Sequence, residues 1–451
     1  MTPSNVRISR PRWFRSVSLL LLVPLLAMAG LNLSSSVRAQ DAPTISMWFN
    51  STGGAETAEC LIATAIDPFN ALGGVQVDAT LQANSWDATR TAVAGGAGPD
   101  VVTTPGPSFG YALAEAGQVV PLDDYATQYG WSETFVPWAL DLGRVNGELY
   151  SIPNEIETLV LYYNETLFQE NGWTPPTTLV EMMTLAETIA AAGIIPFAHA
   201  NAEWRPTNEW FVGEFLNHHA GPEKVYQALS GELPWTDPAF VEAITMLDQM
   251  QQNGWFMGGL DRYYTTLSAD AAALMSEGEA AMKIEGTWFV SDALTFFPEV
   301  EQEWNWVPVP SATGEAIYDL GIGSTYSINA NSKYPAETAE FISYLFSPEV
   351  QASLAVECSL APAPVTIPPE LLSGLDARYA GMLQGLNDAS AANNYGYTTW
   401  TFWPPKSDAY IYTEIEKVWG GDMTVEEYLQ GLQTTFDAEV AAGAVVPVPE
   451  R

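Results

Sequence analysis

Between Thr44 and Val102 the hydrophobic period switches four times. Ile45, Met47 and Phe49 alternate as in a half-buried strand, and a glycine turn follows at Gly53-Gly54. Leu61, Ile62, Ala65, Ile66 and Phe69 then recur at helical spacing, and Val75, Val77, Ala79 and Leu81 alternate again. A helix is predicted near Asp87–Ala94, stopped by Gly95-Gly96-Ala97-Gly98-Pro99, and Asp100-Val101-Val102 opens a short buried strand. Strand, helix, strand, helix, strand requires crossover connections, so an α/β fold with a largely parallel sheet is expected. The rest of the chain is more helical. Thr178-Leu179-Val180-Glu181 reads as a capping box whose helix ends at Gly193. Asp237-Pro238 and Ser347-Pro348 read as helix starts with proline at the first position, and Thr424 with Glu427 caps a last helix.

The first 39 residues are read as an export signal and not as part of the fold. Arg7, Arg10, Arg12 and Arg15 precede the apolar run Val17–Ala29, and Val37-Arg38-Ala39 fits a cleavage site before Gln40. The run is short against the roughly 20 residues of a membrane span; an uncleaved anchor is the alternative. A lipid anchor on an N-terminal cysteine is not expected, since the two cysteines are Cys60 and Cys358. Two cysteines in an exported chain suggest one disulfide, with two buried free thiols as the alternative. The net charge of −38 becomes −43 once the leader, with its five arginines and no acid, is removed. Such a surface repels nucleic acid and anionic lipid. The histidines are His199, His218 and His219, with no Cys-His cluster, so neither a structural zinc nor a histidine-based metal site is expected, and no cofactor is.

Enzyme signatures are weak. The Gly95–Gly98 run lacks a phosphate-loop lysine and ends a helix instead of opening one. No Gly-x-Ser-x-Gly elbow occurs, and carboxylate pairs carry little information in a chain with 54 acids. The 16 tryptophans say more, because Trp48, Trp204, Trp210, Trp288, Trp400 and Trp403 fall in loops or at element ends. An indole face packs on the C–H face of a sugar ring while carboxylates and amides take the hydroxyls. Each could equally be core, and Trp306 is the poorest candidate for a site.

Several segments together resemble the family 1 extracellular solute-binding proteins, which include maltose and glucose binders. They are Gly98-Pro99-Asp100-Val101-Val102; Gly147–Pro153 followed by Leu161-Tyr162-Tyr163-Asn164; Gly172–Thr178; and Gly278–Met282 with Gly286-Thr287-Trp288. Gly323–Gln351 resembles the segment in which such chains return to their first lobe. The resemblance runs from Thr44 to the C-terminal helix.

It implies a two-lobed periplasmic-binding-protein fold of type II, with discontinuous lobes joined by a hinge. The N-terminal lobe would comprise residues 42–154 and 311–361, and the C-terminal lobe 159–309 and 366–451. A mono- or short oligosaccharide would bind between them, in a monomer that delivers it to ABC permease subunits. Carried over residue by residue, the cleft positions fall on Glu157, Trp288, Trp204, and Trp400 or Trp403, with Asn50 and Glu56 after the first strand. Thr104 and Pro107 stand where maltose-type relatives carry a tryptophan and an acid, which speaks against a long maltodextrin. A bridge between Cys60 and Cys358 would lie within one lobe and leave the hinge free. The other readings are a binder of a polyol or cationic amine on the same fold, and a secreted carbohydrate-active enzyme.

Overall fold

The computed structural model describes residues 42–49, 54–82 and 84–449. The leader and Asn50 lie outside them, as does the side chain of Glu56. Among the described residues the strands are β1 (Thr44–Phe49), β2 (Gln76–Leu81), β3 (Val101–Thr104), β4 (Arg144–Val145), β5 (Glu148–Leu149) and β6 (Ile152–Glu157). They continue with β7 (Leu159–Asn164), β8 (Ile195–Phe197), β9 (Ala280–Gly286), β10 (Trp304–Pro308), β11 (Tyr318–Ile328) and β12 (Tyr395–Tyr397).

Two sheets carry the architecture. The first runs β12-β11-β3-β1-β2, with β6 also paired to β11; the second runs β10-β7-β9-β8. The three strands of the alternating N-terminal pattern are parallel, β1 lying between β2 and β3. Beyond them the pairing is mixed: β12 runs parallel to β11. β11 is antiparallel to both β3 and β6, and in the second sheet only β8 and β9 are parallel. The reason is topological: a strand that re-enters a sheet from the other lobe is not bound by the local crossover rule.

The chain changes sheets at Thr158, which alone separates β6 from β7, and again between β10 and β11. Each lobe is therefore built from separated stretches. One core gathers Ile45, Met47, Phe69, Ile152, Phe341 and Leu354, and the other Leu161, Met182, Phe211, Ile244, Trp403 and Phe436. β12 extends the first sheet through β11, yet the rings of Tyr395 and Tyr397 are buried in the second core. Leu320 and Ile322 of β11 do the same, so the start of β11 belongs to both bodies.

Several recurrent-looking segments serve the fold. Asp100 accepts bonds from the Ser46 amide (2.8 Å) and hydroxyl (2.8 Å) and from the Ser332 hydroxyl (2.6 Å), fastening β1, β3 and the returning segment together. Asn164 ends β7 and caps the next helix by accepting from the Leu167 amide at 2.8 Å. The capping boxes at Thr178 and Thr424 form, and Asp237 caps its helix through the Ala239 amide. Ser347 differs: its hydroxyl turns back to the Tyr344 carbonyl instead of capping. Cys60 and Cys358 are joined by a disulfide that pins the helix Gly54–Leu61 to the helix Pro348–Cys358. Among the described residues no helix is long and apolar enough to cross a membrane.

Candidate functional site

A cavity of about 640 Å³ lies between the lobes. The first lobe contributes Phe49, Gln82, Trp86 and the β6 residues Glu155 and Glu157; the second contributes Trp204, Glu209, Trp210, Glu285, Trp288 and Asp292; Trp400 closes it from the late chain.

β6 delivers its two acids at the point where the chain crosses between lobes. Glu155 sits at a φ of 59°, a left-handed backbone that disfavours any side chain but glycine. Its carboxylate accepts from the Ser324 hydroxyl at 2.7 Å. Glu157 is 3% exposed, and its Oε2 makes no hydrogen bond among the described residues. Burial, with Glu155 and then Glu285 beside it, pushes Glu157 well above the usual carboxylate range. Burial also raises Glu155, against the pull of Ser324. The space for Glu157 exists because Gly323 lies opposite: a Cβ there would stand 2.0 Å from Glu157 Oε1.

The opposite wall is organised by β9. Lys283 is buried, donates to the Ala198 carbonyl at 2.9 Å and pairs with Glu285 at 2.9 Å. Glu285 in turn accepts from the indole Nε1 of Trp288 at 3.0 Å. The Trp288 ring lies over Gly286, where a Cβ would meet it at 2.0 Å, so the glycine lets the indole lie against the strand. Trp288 packs on Trp210 (5.1 Å between centroids) and Trp400 (6.2 Å), giving three indoles on one side of the cavity. Asp292, one turn into the next helix, is pushed up to about 7 by burial; Lys283 pulls it down and Glu285 adds to the rise. Glu209 is raised well above the usual range by burial and by Asp408.

Of the residues singled out in the sequence, Glu157, Trp288, Trp204 and Trp400 line the cavity together. Trp403 does not. It is 0% exposed and packs on Trp235 at 5.3 Å in the core of the second lobe, because the chain leaves the short helix Thr399–Phe402 in extended backbone at Trp403. Trp306 is also absent from the lining. Sequence reasoning missed Trp86, Glu285 and Asp292, and it noted Trp210 only as a loop aromatic. Trp86 packs on Trp204 at 5.1 Å, and so bridges from the helix Ser85–Ala94 to the other lobe. The one usable signal was the lysine-x-glutamate pattern Lys283-Ile284-Glu285, which puts both side chains on one face of β9.

The family model described as bacterial extracellular solute-binding protein matches residues 64–369. An uncharacterized ABC transporter extracellular-binding protein of Pyrococcus horikoshii is 24% identical over 251 residues, 54% of this chain; the chain spans about half the length of that relative (54%). A probable sugar-binding periplasmic protein of Mesorhizobium japonicum is 21% identical over 415 residues, covering 89% of this chain and 95% of its own. Among solved structures, one described as a chitin oligosaccharide binding protein superposes with a TM-score of 0.73 at 19% identity, over 88% of this chain and 100% of its own. At that identity the likeness shows the shared two-lobed fold.

Proposed function

The chain belongs to the bacterial extracellular solute-binding proteins, and from that premise we propose that its interlobe cavity binds a mono- or short oligosaccharide and presents it to an ABC permease. The observation that carries this reading is that Trp210, Trp288 and Trp400 line one cavity together with the acids of β6. Indole faces take the apolar side of a pyranose, and carboxyl groups take its hydroxyls. A second cavity of about 450 Å³ shares Trp86, Pro105, Glu203 and Trp204 with the first, which gives room for more than one ring. The lobes are taken as residues 42–154 with 311–361 and 159–309 with 366–451. The protein acts as an exported monomer without a cysteine-linked lipid, and it releases its ligand chemically unchanged.

One observation favours a second reading. Glu155, Glu157, Glu203, Glu209, Glu285 and Asp292 line the cavity, and no lysine or arginine is among its described lining residues. Three indoles beside carboxylates also suit a cationic amine. Calorimetry with neutral sugars, polyols and quaternary amines at two salt concentrations separates the two. A one-to-one sugar complex of micromolar affinity, little changed by salt and returning intact sugar, supports the first reading. Silence toward sugars with salt-sensitive amine binding replaces it with the second, and turnover of the sugar would make the protein an enzyme.

A further inference from the structure

Away from the cleft, three side chains converge where the second lobe meets the start of β11. Glu214 and His218 lie four residues apart on one face of the helical segment formed by Thr207–Phe215 and Leu216–Ala220. Asp319 is the second residue of β11, whose start belongs to both bodies. All three are buried, at 1%, 2% and 1% exposure for Glu214, His218 and Asp319. His218 Nδ1 donates to the Val309 carbonyl at 3.0 Å, which holds the ring with Nε2 facing inward. Nε2 then stands 3.2 Å from Glu214 Oε2 and 3.5 Å from Asp319 Oδ1. None of these three inward atoms has a hydrogen bond of ordinary geometry among the described residues.

Burying the inward atoms of two carboxyl groups and an imidazole without ordinary hydrogen bonds is costly unless something between them compensates. The donor atoms lie within 4.8 Å of one another. Zinc takes nitrogen and oxygen donors at about 2.0–2.2 Å in a tetrahedron, whose edges are then about 3.4 Å. The separations of 3.2 and 3.5 Å match two such edges. The bond from Nδ1 to a backbone carbonyl is the outer contact that orients a ligating histidine. We propose that Glu214, His218 and Asp319 form a structural site for a divalent transition-metal ion of the zinc class. The ion ties the second-lobe helix to β11 and, through Val309, to the segment that crosses between lobes. The site has no local sequence signature, because Asp319 lies far along the chain from the Glu214/His218 pair.

The test uses the full exported chain, untagged, refolded with its disulfide intact in either EDTA or Zn²⁺. Elemental analysis after gel filtration should find close to one zinc per chain in the second sample. Its melting temperature should lie several degrees above that of the EDTA sample. The double variant Glu214→Gln/Asp319→Asn keeps the shape of the side chains, and circular dichroism checks its fold. It should retain no zinc and show no difference between the two samples. His218→Gln, tested separately, should behave alike if the double variant fails to fold. Wild-type protein that holds no zinc and melts identically in both samples would overturn the site, leaving an internal ion pair around a protonated imidazole. Equal zinc retention by wild type and variants would also overturn it, placing the ion on surface acids.

Discussion

At the residue scale, the proposed binding role assigns separate tasks to Trp288 and Glu157. Trp288 is partly exposed to the cavity, held by Glu285 and flanked by two further indoles. Trp288→Ala should weaken ligand binding on the order of 100-fold, the loss typical of an aromatic anchor. Its melting temperature should fall modestly; a sharp fall with wild-type affinity would make Trp288 a core residue only. Glu157→Gln reports on the ligand's charge. Because burial holds Glu157 toward its protonated form, the amide is a close substitute for a sugar, and affinity should fall by less than about 10-fold. A cationic ligand would instead draw on the ionised carboxylate and lose on the order of 100-fold. The same burial sets a pH dependence. Asp292, at about 7, keeps a proton in the fold that the unfolded chain gives up near its ordinary value of 3.8. The associated stability is present in full below that ordinary value and is lost as pH rises through about 7. Melting temperature should therefore decline from pH 5 to pH 8, and Asp292→Asn should flatten the decline and stabilise the protein at pH 8. An unchanged slope in the variant would remove Asp292 as its source.

What was legible in the sequence divides by element. Period-2 and period-3.6 patterns located β1, β2 and the helices near them, since each buries one face against one core, and the apolar run after the glycine stop located β3, which is buried on both faces. The capping boxes at Thr178 and Thr424 were readable because they are closed within four residues. The antiparallel pairing of β11 was not, because its partners β3 and β6 lie more than a hundred residues earlier in the chain. Trp400 and Trp403 show the same limit in the site: three residues apart, one sits in a one-turn helix and lines the cavity, and the other follows it in extended backbone and is fully buried. Covalent linkage between elements is easier to test. The Cys60–Cys358 bridge spans a sequence separation of 298 and joins two helices of one core. In the chain-entropy view so long a loop allows a stabilisation of roughly 5 kcal/mol at the upper end. The double variant Cys60→Ser/Cys358→Ser should unfold at markedly lower denaturant with ligand affinity nearly unchanged, because the bridge does not span the cleft. Two free thiols in freshly exported, unreduced protein, seen by mass spectrometry, would show that the bridge does not form in the exported chain.

At the scale of the whole molecule, the two-lobed fold has the connections required for hinge closure. Short segments at Thr158, between β10 and β11, and after the helix Pro348–Cys358 carry the chain across, and the cavity walls come from opposite sides. The contact of Trp86 with Trp204 reaches over this cleft at 5.1 Å, with Phe109 beside Trp204 at 6.4 Å. An aromatic pair contributes about 0.5–1.5 kcal/mol beyond its buried area. That is enough to bias an open–closed equilibrium without locking it, so the pair should favour closure in advance of the ligand. Removing it raises the work that ligand binding must do, and apparent affinity falls with the population of the competent state. Trp86→Ala should thus expand the ligand-free protein in small-angle scattering and weaken binding by about 3- to 10-fold, less than Trp288→Ala. Saturating ligand should restore the compact scattering profile of the wild type. If the ligand-free variant scatters as the wild type does while affinity still falls, Trp86 acts by touching the ligand and not by holding the lobes together.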